Sequence, residues 1–466
     1  MLFNSIEFII FFPIVTLLYF LIPHRLRWLH LLLASCFFYI AYLPAYILIL
    51  FFLIAIDYAA GLWIEKTKHK KLWLVISILA NIGLLGFFKY YNFFAGNINE
   101  LTGSAFIVHH WLLPIGLSFH TFQSLSYTIE VYRGNQKAER HLGYYALYVM
   151  FYPQLVAGPI ERPGHLLPQL KARHTFSMQK LYEGLRLMAW GFFKKTVIAD
   201  RLSEFVDAAF QDTSSLQSGT VWLGVLFFTI QIYADFSGYC DIALGAARCM
   251  GFDLVINFNR PYQAGNIRDF WRKWHISLSS WFRDYVYISL GGNRKGSARK
   301  NFNILITFTL SGFWHGAGWT FIIWGFLHGL YVLLYDAFKK ITGQFRVWRL
   351  LAWLLTFLAV SFALIFFRAP SLTDAITVIR KACDFGSFDY QSLTAVNTPS
   401  IQYGNFTLLL ILFTVLYMFI IEKFCNPILT DLNNRKLLDI FVFTSSILLI
   451  IFYGVFHKTS FIYFQF

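Results

Sequence analysis

The chain has 466 residues, of which 57% are hydrophobic, 20% aromatic and only 14% charged, with a mean hydropathy of +0.55 and a net charge of +15. A soluble domain has no use for so much apolar surface, and the longest weakly apolar stretches, 159–179 and 385–404, fall far short of the usual domain size. These values describe one integral membrane domain over residues 1–466, and they argue against nucleic acid as a partner, because the basic residues sit in short loops where they orient membrane spans.

Apolar runs of about 20 residues can cross the roughly 30 Å hydrocarbon layer as helices. They recur from 6–22 to 437–456, so an all-α polytopic fold with roughly ten to twelve spanning or re-entrant helices is expected. The first run lacks both a basic segment before it and a small-residue cleavage site after it, and reads as a retained span rather than a signal peptide. It is followed by runs at 28–43, 45–64, 72–94 and 106–132. The loops at 24–27, 65–71, 133–140, 339–349 and 435–436 are basic and belong in the cytoplasm, whereas 96–103 and 385–404 carry no Lys or Arg and belong outside. The N-terminus is then extracytoplasmic. His109, His110 and His120 in the fifth run suit hydrogen bonding between helices, with a polar path as the alternative.

Between 142 and 201 the alternation fails, because Pro153, Pro159, Pro163 and Pro168 mark broken or re-entrant segments. Asp235 and Asp241 interrupt the apolar run 221–247; a buried carboxylate needs a partner, so each is expected to tether a Lys or Arg, or else to line a tunnel. Residues 260–300 hold nine Lys or Arg against Asp269 and Asp284, a net +7. Phe270, Trp271, Trp274, Ile276, Leu278, Trp281, Phe282, Tyr285 and Ile288 recur among these charges at near-helical spacing, which predicts an amphipathic helix at the membrane face. A basic cytoplasmic surface there could attract an anionic donor.

The run 302–338 is basic at both ends, Arg299-Lys300 and Lys339-Lys340, so both ends lie in the cytoplasm and the chain must enter and return. As a helix, 302–314 rises only about 20 Å, which sets the turn near Gly316–Gly318 and leaves His315 at depth. An intramembrane ionisable residue is a functional candidate, although Gly312-x-x-x-Gly316 also suits close helix packing, and both readings stay open. His328 follows 13 residues later, about 20 Å along one helix, and is a poor touching partner for His315. His275, on a different element, is the better one. Cys36, Cys240, Cys249, Cys383 and Cys425 form no C-x-x-C pair and no zinc spacing, and no P-loop occurs.

Several segments together resemble the membrane-bound O-acyltransferases (MBOAT), within them the branch that acetylates bacterial alginate and related exopolysaccharides. They are Leu-Pro-Ile-Gly-Leu-Ser-Phe at 113–119, Pro-Gln-Leu-Val-Ala-Gly-Pro-Ile-Glu-Arg-Pro at 153–163, Tyr-Ala-Asp-Phe-Ser-Gly-Tyr-Cys-Asp at 233–241, Phe-Trp-Arg-Lys-Trp-His at 270–275, Trp-Phe-Arg-Asp-Tyr at 281–285, Leu-Gly-Gly-Asn-Arg at 290–294 and Phe-Trp-His-Gly-Ala-Gly at 313–318. The resemblance implies a helical bundle with a central tunnel. It puts the family's catalytic histidine on His315 and its second polar position on His275, leaving Asp235, Asp241 and His328 as tunnel or structural polar groups. It further implies acetyl-CoA as acyl donor with no permanently bound cofactor or metal, a bacterial cytoplasmic (inner) membrane location with lipid contacts, and an extracytoplasmic SGNH-type acetyltransferase or other acyl-accepting protein that passes the group to a polysaccharide. The 290–294 segment favours acetyl transfer over D-alanyl transfer to teichoic acid. A non-catalytic transporter or export subunit is the competing class.

Overall fold

Helices form the secondary structure of the described residues, with no strand among them, in a computed structural model that describes all residues except 42–43, 110, 112, 157, 212–216, 344–347, 385, 387–404, 425–435, 457–460 and 463–466. His110, Cys425, Arg435 and nearly all of the loop 385–404 therefore lie outside the described residues. Among the described residues, six helical stretches are long and apolar enough to cross a membrane: Pro44–Lys66, Lys70–Thr102, Ser218–Cys249, Trp319–Thr342, Arg349–Arg368 and Phe406–Phe424. Ile6–Leu21 and Leu437–Tyr453 are shorter apolar helices. Contacts divide the chain into two compact units, Met1–Met188 with Cys240–Val255, and Ala189–Tyr239 with Ile256–Phe466.

In the first unit, Ile6–Leu21 starts where Ser5 Oγ accepts the Phe8 N–H. One face buries Phe8, Phe11, Phe12 and Tyr19, while Ile6, Ile9 and Leu17 stay exposed, as a lipid-facing helix requires. The helix Leu117–Arg133 is different: Ser118, His120, Thr121, Gln123, Ser124, Ser126 and Thr128 are all buried. The expected fifth span, 106–132, thus becomes helical only at Leu117. Gly116 sets this start, since its φ of +75° suits glycine and a Cβ there would lie 2.7 Å from the Leu155 carbonyl oxygen. Asp57 accounts for one of these buried polar groups, Thr128. Its carboxylate accepts from Ser77 Oγ at 2.6 Å and from Asn81 Nδ2 at 3.0 Å, and Ser77 Oγ, its one proton given to the carboxylate, faces the Thr128 hydroxyl at 3.1 Å as acceptor, so one buried acid ties three helices. The proline-rich region breaks as expected into the short helices Leu142–Met150, Tyr152–Leu155 and Pro163–Lys171. The Glu161 carboxylate, fully buried, accepts from Val255 N at 2.6 Å and pairs with His165 Nδ1 at 2.7 Å.

The second unit holds the expected hairpin, with Gly296–His315 running out and Trp319–Thr342 running back. The two backbones meet at glycines, because a Cβ on Gly312 would sit 2.2 Å from the Phe321 carbonyl oxygen and one on Gly325 would sit 2.3 Å from that of Phe308. The basic stretch before the hairpin departs from the expected surface helix. It forms Ile267–Lys273 and Ile276–Phe282, broken at His275, and it buries Phe270, Trp274, His275, Leu278, Trp281 and Phe282 inside the unit. Aromatic residues at helical spacing face a protein interior as readily as a membrane, and here the interior takes them.

Candidate functional site

His315 is the last residue of its helix, and the extended Gly316 and Gly318 carry the chain into the return helix. A side chain at Gly316 would meet the Phe321 ring at 2.2 Å, so glycine is what allows the turn to close against that ring. His315 is left 3% exposed, its imidazole walled by Trp314 at 4.9 Å, Trp324 at 5.1 Å and Phe367 at 5.4 Å between ring centroids. From Lys300 to His315 the helix rises about 22 Å, at 1.5 Å per residue.

His275 is fully buried and has φ +42° and ψ +56°, a left-handed conformation that costs a non-glycine residue about 1–3 kcal/mol. Asn257 over-determines it. The Ile276 N–H donates to the Asn257 backbone carbonyl at 2.9 Å, while Asn257 Oδ1 accepts from Ser277 N at 3.1 Å and Ser277 Oγ at 2.7 Å. His275 Nδ1 lies 3.3 Å from the same oxygen. Because the Ser277 N–H can only donate, the facing atom is an acceptor, and Nδ1 must carry the proton in the neutral ring. The lone pair then sits on Nε2. Phe236 stands edge-to-face on the ring at 4.7 Å and Trp314 lies 6.4 Å away.

These two turns bring His275 and His315 together, with ring centroids 6.4 Å apart and planes tilted by 58°. At the other end of the hairpin, Arg268 binds Asp336 through both Nε and Nη2 at 2.6 Å, and Lys300 Nζ joins at 2.9 Å. This pins Ile267–Lys273 against both hairpin helices. His328 is 1% exposed and packs on Trp271 at 4.9 Å and Trp324 at 4.8 Å. The Trp324 indole touches both His315 and His328, so these two meet through tryptophan. Asp235 belongs to the second unit, where its Oδ1 pairs with the buried Lys195 Nζ at 2.7 Å, and Lys195 also pairs with Asp200 at 2.7 Å. Asp241, six residues later on the same helix, is buried in the first unit.

Sequence reasoning missed Asn257, whose part depends on an 18-residue return, and it missed Lys195, whose partner Asp235 it had singled out. Asn257 gives no local signal. The adjacent Lys194-Lys195 pair in the apolar stretch 187–199 is a visible one, since two charges there demand buried partners. No group of three or more His, Cys, Asp or Glu able to hold a metal ion occurs among the described residues.

The model of the MBOAT, membrane-bound O-acyltransferase, family matches residues 78–373. The chain is 36% identical to the peptidoglycan O-acetyltransferase of Helicobacter pylori, covering all of this chain and 98% of that protein. It is 39% identical to the probable alginate O-acetylase of Pseudomonas aeruginosa, covering 91% of this chain and 82% of that protein. It is 27% identical to the teichoic acid D-alanyltransferase of Bacillus subtilis, covering 51% of this chain and 62% of that protein.

Proposed function

The chain belongs to the membrane-bound O-acyltransferase family and is a multi-pass membrane O-acyltransferase, and from that premise we propose that it moves acetyl groups from cytoplasmic acetyl-CoA to an extracytoplasmic acceptor, with His315 as general base. The acceptor is a secreted acetyl-accepting protein of SGNH type that in turn acetylates a cell-envelope glycan of the alginate or peptidoglycan kind. The location that goes with this activity is the bacterial cytoplasmic membrane. The two relatives matched over most of their length are named for acetyl transfer, whereas the D-alanyl relative matches about half of the chain, which favours acetyl over D-alanine.

The observation that carries the proposal is the juxtaposition of two buried imidazoles from separate elements, 6.4 Å apart inside aromatic walls. In the reaction the acceptor hydroxyl attacks the thioester carbonyl while neutral His315 takes its proton. The C–S bond breaks as the C–O bond forms, and the proton returns from His315 to the leaving thiolate, so the free thiol and the acetyl ester leave. His275, with its lone pair on Nε2, accepts a hydrogen bond and orients the donor. The exposed basic residues Arg294, Lys295 and Arg299 supply positive charge for the donor's phosphates.

In cells that make normal amounts of protein, His315→Ala should abolish O-acetylation of the envelope glycan. Retained acetylation in such cells would rule His315 out as the base.

A further inference from the structure

The aromatic wall of His275 is itself supported by residues from far along the chain. Phe236 meets His275 on one side, and its ring packs on Phe461 at 5.6 Å; Phe461 in turn lies at 4.7 Å and 32° against Tyr239. Phe461 and Ile462 are 1% and 2% exposed. The Ile462 N–H donates to Asp235 Oδ2 at 2.8 Å, and the other oxygen of that carboxylate holds Lys195. Upstream, Val455 N–H donates to the Thr196 carbonyl at 2.9 Å and Arg201 Nη2 donates to the Tyr453 carbonyl at 2.6 Å. Thr196 lies in the π turn Phe193–Ala199, a wound-out stretch of helix of the kind found at functional sites.

Apolar burial alone would explain Phe461 as packing. The polar contact adds a direction, because Ile462 binds the carboxylate of Asp235, the residue next to Phe236, while Phe461 holds the Phe236 ring. Phe461 and Ile462 thereby hold both the residue next to Phe236 and the Phe236 ring that stands on His275. We infer that Phe461 and Ile462 are positioning residues for acyl transfer, acting through Phe236 on the orientation of His275. This rests on the reading of His275 as part of the transfer site.

The test uses the full chain in lipid vesicles, with acetyl transfer from acetyl-CoA to the acceptor measured for Phe461→Ala, Phe461→Leu, His275→Asn and the double variant. Phe461→Ala should lower kcat about ten- to a hundredfold, the scale of a sub-ångström to ångström misplacement, with KM for acetyl-CoA unchanged. Phe461→Leu, which refills most of the volume, should restore most of that loss. In the His275→Asn background Phe461→Ala should cost nothing further. An equal loss in both backgrounds, or no loss in the wild-type background, overturns the inference. A wild-type kcat for His275→Asn overturns instead the reading of His275 on which it rests. A readout free of activity is the ring-proton resonance of His275, assigned by its disappearance in His275→Asn. It should shift in Phe461→Ala while that of His328 stays in place, and an unmoved His275 resonance contradicts the proposed path.

Discussion

At the scale of single residues, the structure turns on buried polar groups that hold unusual conformations. Asn257 is the clearest, since one side-chain oxygen and one carbonyl secure the left-handed His275 and the start of the next helix. Asn257→Ala should therefore reduce acetyl transfer by about tenfold or more, as the strained turn relaxes, while costing about 1–3 kcal/mol of stability for the orphaned donors; paired kinetic and thermal-melt measurements check it. His165 gives a pH-dependent expectation. The Glu161 carboxylate beside it raises its imidazole above the ordinary value, against the smaller opposing effect of burial. A raised value means that the charged pair stabilises fully below the unfolded histidine's value and that this is lost as pH rises through the folded one. Melting curves of wild type and His165→Gln should thus differ at pH 5 and converge by pH 9. Of these residues, the sequence singled out His275 but not its conformation, because a left-handed histidine follows from a clamp 18 positions away and not from neighbours.

Whole elements were legible where physics acts along the chain. The hairpin could be read from basic residues at both ends of one apolar run, and its closure from glycine, because charge and helix rise are local properties. Its glycine contact is half visible in the sequence: Gly312-x-x-x-Gly316 marks one side, while the return helix carries its own Gly325-x-x-x-Gly329, and Gly325 supplies the facing surface. Gly325→Ala should destabilise the hairpin by about 1–3 kcal/mol, the range for overpacking, because the obstructing atom is backbone and cannot swing aside. Gly318→Ala, whose Cβ would meet only ordinary contacts at 3.6 Å, should be nearly neutral in the same thermal unfolding assay. The basic amphipathic stretch was misread as one surface helix, since aromatic spacing reports a buried face without saying what buries it. Asp57 is legible too: a lone carboxylate in the apolar run 45–64, followed by Ser77 and Asn81 in the next run, is a polar tie in waiting.

For the whole molecule, the composition and loop charges gave the membrane class, and the motif resemblance agrees with the family match over residues 78–373. Loop charge also predicts sidedness. In a background lacking all five native cysteines, Lys68→Cys should react with a membrane-impermeant maleimide only from the cytoplasmic side and Ser104→Cys only from outside; the reverse pattern would contradict the predicted orientation. The reaction proposed for the site joins these scales: donor from the cytoplasm, two histidines set by two turns, acceptor from the opposite side. It is tested most directly by supplying radiolabelled acetyl-CoA to sealed inside-out vesicles that contain the full chain and its acceptor protein within the lumen. Wild type should label the acceptor, and His315→Ala, at equal protein level and melting temperature, should leave it unlabelled. Equal labelling by wild type and His315→Ala would contradict the account.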